Sequence, residues 1–474
     1  MSELGKYRLP TDWEWATIPE LIGKCGVFVD GDWVETVDQD PNGDVRLIQL
    51  ADVGDGTYRD RSARFLTSTK AKELGCTFLK AGDVLIARMP DPLGRACIFP
   101  GDPKPAVTVV DVCIARSAEG KFDHRWLSHF VNAPQFRSAI AGMQAGSTRK
   151  RISRSNLGTI PLPVPPKDRQ RRIADEIEKQ FTRLEAGMAA LKRVQAGLKR
   201  YRAAVLKAAC EGRLVPTEFE LHRQRKTQNS KLETGEDLLR RILAERRAKW
   251  QGGGKYKEPA PPETTNLPPL PESWTVGSID QLIADTMIGL DRGRAQQSDN
   301  PTTGVPYIKM NNVTMDGRVF CDDLVFVPAS REEATRFAVQ DGDILFNTRN
   351  SKELVGKVGL VRNPPPRAIY NNNLMRIRLA GGVSPAFLTL QMCSHDFRRR
   401  LELVKKATTN VAAVYAKDLL PMAIALPPIA EQRRIVAEVQ RRLSVVEELE
   451  SVVSANLQRA VRLRQAVLQQ AFSG

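Results

Sequence analysis

Several residue groups in this sequence could support chemistry. Pro90-Asp91, followed by Glu119-Gly120-Lys121, fits the loose P-D…E-x-K pattern in which two carboxylates and a lysine hold Mg²⁺ for hydrolysis. The pattern is permissive, and Asp91-Pro92 reads first as a turn. Asn363-Pro364-Pro365-Pro366 matches the start of an N-P-P-aromatic base-holding turn but lacks the aromatic that would stack on a flipped base. No G-x-x-x-x-G-K-[ST] loop occurs, and Val53-Gly54-Asp55-Gly56 reads as a turn rather than a cofactor loop. The four histidines, His124, His129, His222 and His395, form no Ser-His-Asp or Cys-His arrangement. The seven cysteines include no C-x-x-C pair, which argues against a zinc ribbon and a disulfide framework and fits a reduced, cytoplasmic setting.

What remains is contact chemistry. Ser147-Thr148-Arg149-Lys150-Arg151 places hydroxyls beside guanidinium groups, suited to phosphates and to bidentate contact with bases. It lies in a stretch from His124 to Lys167 without any acidic residue, and a second acid-free stretch runs from Leu354 to His395. A solvated basic loop is the plainer alternative for both.

The elements that position these groups follow from length and repetition. The 474 residues suggest two to three domains, and 42% hydrophobic residues suffice for packed cores. No run of about 18 apolar residues marks a membrane span, and Met1–Tyr7 has no secretory pattern. The formal charge of +16 and a pI near 9.6 point to a polyanion partner.

Leu9-Pro10-x-x-Trp13 returns as Leu270-Pro271-x-x-Trp274, and Gly82-Asp83-Val84-Leu85 as Gly342-Asp343-Ile344-Leu345. Pro165-Pro166 returns as Pro427-Pro428, and Gln170-Arg171-Arg172-Ile173 as Gln432-Arg433-Arg434-Ile435. The offsets stay within 260–262, so the chain is a tandem duplication. Each unit opens with a mixed α/β part, with strand-like runs such as Val45–Leu50, Val84–Ala87, Val107–Ala115 and Ile344–Phe346. Phe122–Met143 and Pro385–Lys406 read as helices.

Each unit closes with a Pro-free helical stretch. Ile173, Ile177, Phe181, Leu184, Met188, Leu191, Leu198 and Val205 form a heptad-like seam, as do Ile435, Val439, Leu443, Val446, Leu449, Val453, Leu457 and Val467. Helices of roughly 65 Å with one apolar stripe need partners, and the chain supplies two that can pair. The predicted fold is α+β: two mixed α/β domains joined by two long antiparallel helices in a coiled coil, with pseudo-two-fold symmetry. The expected boundaries are 1–160, a first helix over 161–213, a linker with a short helix and a Pro-rich segment over 214–269, a second domain over 270–423, and a second helix over 424–474. The helices and linker carry +12 of the +16.

This organisation resembles the specificity subunit of type I restriction–modification systems. The resemblance covers nearly the whole chain and rests on the motifs above, on Asn347-Thr348-Arg349-Asn350-Ser351-x-x-Leu354-Val355-Gly356-Lys357, and on Leu243-Ala244-Glu245-Arg246-Arg247-Ala248-Lys249-Trp250. It implies a non-catalytic DNA-binding protein whose two target recognition domains each read half of a split, asymmetric sequence. The helices would fix the spacing of the half-sites, which lie about 34 Å apart when read from one face of DNA. They would also dock two methyltransferase subunits, and restriction subunits would join that core. S-adenosylmethionine, ATP and Mg would then belong to the partners, with no cofactor on this chain.

On this reading the DNA-contact candidates are Arg88, Arg95, Ser147, Arg149, Lys150 and Arg151 in the first domain. In the second they are Asn347, Arg349, Asn350, Lys352, Lys357, Thr409 and Asn410. Gln170, Arg171, Arg172, Gln432, Arg433 and Arg434 are candidates for the subunit interface. Two alternatives remain at this level: a self-sufficient DNA-cleaving or methylating enzyme, and a coiled-coil adaptor without sequence specificity.

Overall fold

The computed structural model describes residues 9–118, 120–144, 150–225, 232–251, 255–263, 267–408 and 411–473. The chain forms two compact units, Met1–Arg193 with Val452–Gly474, and Val194–Ser451.

The first unit is built on a four-stranded antiparallel sheet in the order Val27–Asp30, Val112–Arg116, Val84–Ala87, Ala96–Ile98. Val84–Ala87 is buried at every position because both faces are covered. Val84 and Ile86 meet Trp126, Phe130 and Phe136, whereas Leu85 and Ala87 meet Ile48, Val53 and Phe99. A three-stranded sheet, Phe65–Leu66, Val45–Ile48, Ala106–Thr108, lies beside it in sequence.

The second unit repeats both sheets in the same order. Ile283–Ile288, Leu374–Leu379, Ile344–Asn347 and Val358–Leu360 form one, and Val325–Val327, Val305–Ile308 and Ile369–Tyr370 the other. It also holds a small sheet of Arg349–Asn350, Ala412–Ala413 and Lys406–Ala407. The linker helix Gly235–Ala248 packs Leu238 and Ile242 into the core of this unit.

Three sequence expectations are corrected. The expected helix over 122–143 is two, His124–Val131 and Pro134–Ala141, because the residue before Pro134 is held extended (Ala133 ψ 150°). The helix expected over 385–406 also breaks, at Ser394, whose side chain caps His395–Val404 by accepting from Phe397 N. Val107–Ala115 is split by a turn into Ala106–Thr108 and Val112–Arg116.

The long helices run uninterrupted over Lys167–Cys210 and Ile429–Ala471. In the first unit Ala174, Ile177 and Phe181 share a core with Leu468 and Phe472, and Arg464 lies 4.2 Å from the Phe181 ring and 3.1 Å from Glu185. In the second unit Val205 and Ala209 cluster with Ile435 and Val439, and Arg202 reaches Glu450 at 3.2 Å. In each unit the residue numbers rise on one helix as they fall on the other, so the pairing is antiparallel. Most seam residues face inward; Leu449 does not and is 44% exposed.

Candidate nucleic-acid interface

The repeated Gly-Asp motifs make a support, not a contact surface. Gly82 and Gly342 adopt φ of 92° and 88°, a turn that L side chains rarely enter. The following carboxylates are buried. Asp83 accepts from Lys80 N at 2.8 Å and from Arg116 through two bonds of 2.6 and 2.5 Å. Asp343 repeats this with Gln340 N at 2.8 Å and Arg378 at 2.8 and 2.7 Å. Each pair ties the turn before one strand to its neighbour in the sheet.

Five predicted contact residues are engaged by partners within their own domains, three of them buried and two, Arg88 and Asn350, partly buried. Arg95 is 4% exposed and donates to the carbonyls of Val53, Met89, Pro92 and Leu50. Arg88 is paired with Asp30 at 2.9 Å and donates to the Ile152 and Val110 carbonyls. Asn347 is fully buried, and its Nδ2 donates to the Arg349 and Asn373 carbonyls. Asn350 donates to Asn347 Oδ1 and accepts from Ser351 N. Lys357 is 7% exposed and donates to the Met310 carbonyl at 2.5 Å. Burial pushes the Arg95 guanidinium and the Lys357 ammonium below their ordinary ranges. For all but Asn350 the common cause is that irregular backbone carries carbonyls that need donors where water has little access.

Four candidates reach solvent: Lys150 and Arg151 in the first unit, Arg349 and Lys352 in the second. Ser147, Arg149, Thr409 and Asn410 lie outside the described residues. The exposed cations occupy related places. Arg349 pairs with Ala413 across a short antiparallel ladder, and Val414 N donates to the Thr348 carbonyl. In the first unit Ile152 N donates to the Arg88 carbonyl in the same way, which aligns Met89 with Arg349 and Arg151 with Ala413. The guanidinium therefore comes from one segment in the first unit and from the opposite segment in the second.

The proposed interface glutamines are also structural. Gln170 donates to the Pro165 carbonyl and accepts from Asp123 N at 2.8 Å. Gln432 does the same with the Pro427 carbonyl and Ser384 N at 2.8 Å. Both are buried and fasten the start of a long helix to the first turn of a domain helix. Arg171, Arg172 and Arg433 are exposed, whereas Arg434 pairs with Glu218. The tryptophan of each Leu-Pro-x-x-Trp motif meets the residue just before this glutamine. Arg169 lies 6.0 Å from the Trp13 ring, and Trp274 Nε1 donates to Glu431 at 2.7 Å.

A groove of about 1000 Å³ opens beside Arg151, and the sequence reading missed its other residues. Trp33 and Val37 stand on its rim at 69% and 85% exposure, with Gln49 and Arg64 along it. A tryptophan between Asp32 and Val34, one residue after Gly31 in a turn-rich segment, was the available signal, and positive charge does not point to it. Asp91 lies in the loop before Ala96–Ile98, and Glu119 lies outside the described residues. Among the described residues no group of three His, Cys, Asp or Glu side chains could hold a metal ion, and no helix is long and apolar enough to cross a membrane.

No protein-family model matches the chain. Among curated proteins it is similar to the type I restriction enzyme EcoKI specificity subunit of Escherichia coli K12, 24% identical over 351 residues, covering 74% of this chain and 65% of the relative. That alignment thus spans just under two thirds of the relative's length. The EcoBI specificity subunit of Escherichia coli is 25% identical over 377 residues, covering 78% and 69%. The EcoEI specificity subunit of Escherichia coli is 22% identical over 517 residues, covering 98% and 84%. The resemblance drawn from the motifs is thus to the proteins that whole-chain comparison also finds. The fold is shared with a chain from a type I R-M system, solved in a study of its complex assembly and conformational transition: TM-score 0.62, 19% identity, 99% of both chains covered.

Proposed function

We propose that this chain is the DNA-specificity subunit of a type I restriction–modification complex. It reads a split, asymmetric target in double-stranded DNA and performs no chemistry itself. Two domains that share sheet order and buried supports, yet carry their exposed cations on opposite segments, support this reading. A common scaffold with interchanged surface cations suits two unlike half-sites.

Two methyltransferase subunits and the restriction subunits complete the assembly in this proposal. S-adenosylmethionine, ATP and Mg act on those partners, in the cytoplasm. Exposed apolar residues on the long helices, among them Tyr201, Val445 and Val461, are available for subunit docking.

Mapping methylated adenines across the genome in strains with and without the chain tests the proposal. A two-part motif that disappears with the chain is expected. Methyl transfer or DNA cleavage by the purified chain alone would overturn it in favour of a self-sufficient enzyme.

A further inference from the structure

We infer that the groove beside Arg151 reads base-pair edges in the major groove over one half of the target, with Gln49 and Arg151 contacting edges and the Trp33 indole packing against them. The inference deepens the DNA-recognition reading and rests on it.

The groove mixes donors and acceptors. Arg64 and Arg151 line it together with Glu35 and Asp111. A phosphate surface presents only acceptors, so carboxylates in the wall disfavour it. A base-pair edge presents both kinds of group in the major groove, and cytosine N4 donates to carboxylates. Glutamine and arginine are the side chains that make paired bonds to adenine and guanine there. Gln49 Nε2 is buried beside the groove and has no partner among the described residues. Arg151 is exposed with no ion pair among the described residues.

Trp33 is held in place. Its Nε1 donates to Glu35 at 3.0 Å, and Glu35 N donates to Asp38 at 3.0 Å, which fixes the turn Thr36–Asp38. A pinned, exposed indole is a rigid apolar contact that loses little conformational freedom on binding.

The second unit builds the same turn without the aromatic. Gly293 N donates to Gln296 there, at 3.1 Å, just as Glu35 N donates to Asp38. That alignment puts Asp291 opposite Trp33. The neighbouring Arg292 is engaged with the Pro328 carbonyl and Glu333. The reading set is therefore particular to one half of the chain.

The test uses the full chain in complex with its methyltransferase partners. Once the target is mapped, binding is measured to duplexes that each carry one base substitution. Trp33→Ala and Gln49→Ala are expected to lose about tenfold discrimination at positions of one half-site, with the other half-site read as before. Gln49→Glu is expected to change which base is preferred at one position, a result that a folding defect cannot produce. Variants that discriminate every substitution as the parent does would overturn the inference alone. A parent complex with no split target would overturn it together with the proposed function.

Discussion

Arg95 Nη2 donates to the Leu50 carbonyl at 2.9 Å, and its counterpart in the second unit, Lys357, donates through Nζ to the carbonyl of Met310. The register supports the equivalence, since Ala87 N donates to the Arg95 carbonyl just as Asn347 N donates to that of Lys357. Leu50 and Met310 are likewise 260 residues apart, the offset of the Gly-Asp motif. Each domain thus closes the loop after a sheet strand with a buried cation. Arginine reaches four carbonyls where lysine reaches one.

Arg95→Leu should therefore act on stability before it acts on DNA. It removes the donors of four hydrogen bonds, one buried and three partly buried, and each buried acceptor left alone costs about 1–3 kcal/mol, though relaxation and solvent limit the sum. A loss of about 3 kcal/mol or more in urea unfolding is expected. An unchanged midpoint together with weakened DNA binding would return Arg95 to the contact surface.

Asp343→Asn removes the charge from a buried carboxylate that receives both arms of Arg378. Breaking one side of such a pair leaves the other charge uncompensated and costs about 3–5 kcal/mol. Asp83→Asn should match it in the first unit, where the same pair forms with Arg116. Thermal unfolding of both variants would check this. A harmless substitution at either position would mean that the turn, not the ion pair, maintains the motif.

The repeat, the antiparallel helix pair and most seam residues were legible in the sequence, because they rest on periodicity and on offsets that persist over some 200 residues. The contact residues were not. Charge shows where a cation lies in the sequence but not whether a loop carbonyl will claim it, as at Arg88, Arg95 and Lys357. The duplication held an unused signal. A cation kept at one position in both halves, as at 95 and 357, cannot distinguish two unlike half-sites and is better read as support. Positions that differ between halves, such as Arg151 against Ala413 or Trp33 against Asp291, are where discrimination can reside. Leu449 misled for another reason: a seam drawn at heptad spacing assigns every apolar residue inward, whereas the helix exposes this one.

Glu431 carries a pH dependence. Burial pushes its carboxyl above the ordinary value of 4.5, although Trp274 Nε1 and Glu218 N both donate to it. The folded state then holds this proton more tightly than the unfolded chain. The contribution is most favourable at acid pH and is lost as the pH rises from the ordinary value through the raised one. Glu431→Gln removes the titration. Its stability relative to the parent should therefore increase as the pH rises above the ordinary carboxyl value of 4.5. A constant difference in urea midpoint above that value would show that Glu431 titrates normally.

Arg202 and Glu450 test the register of the helix pair in the second unit. Arg202→Glu places like charges together, and the double variant with Glu450→Arg restores the attraction in reverse. Both side chains are partly exposed, so solvent screening keeps the coupling to about 0.2–1 kcal/mol. A double-mutant cycle in denaturant should return a coupling of that size, reduced at high salt. Additive effects would place the two side chains out of contact.

Arg151 and Arg349 separate the two halves of the proposed function. Each is exposed, and the alignment of Arg151 with Ala413 and of Met89 with Arg349 means that neither has a cationic equivalent in the other unit. A guanidinium paired with a guanine edge contributes about 1–3 kcal/mol of discrimination, whereas one on a phosphate contributes affinity regardless of sequence. Arg151→Ala should relax base preference in one half-site and Arg349→Ala in the other, with little change in how steeply affinity falls with salt. If either side chain contacts only backbone, its variant will bind every sequence more weakly by the same factor, and the salt slope will fall by about one. Measuring both variants on duplexes substituted in each half-site, at two salt concentrations, distinguishes these outcomes. Loss at both half-sites from a single substitution would contradict the modular reading, because the two residues sit on separate copies of the fold.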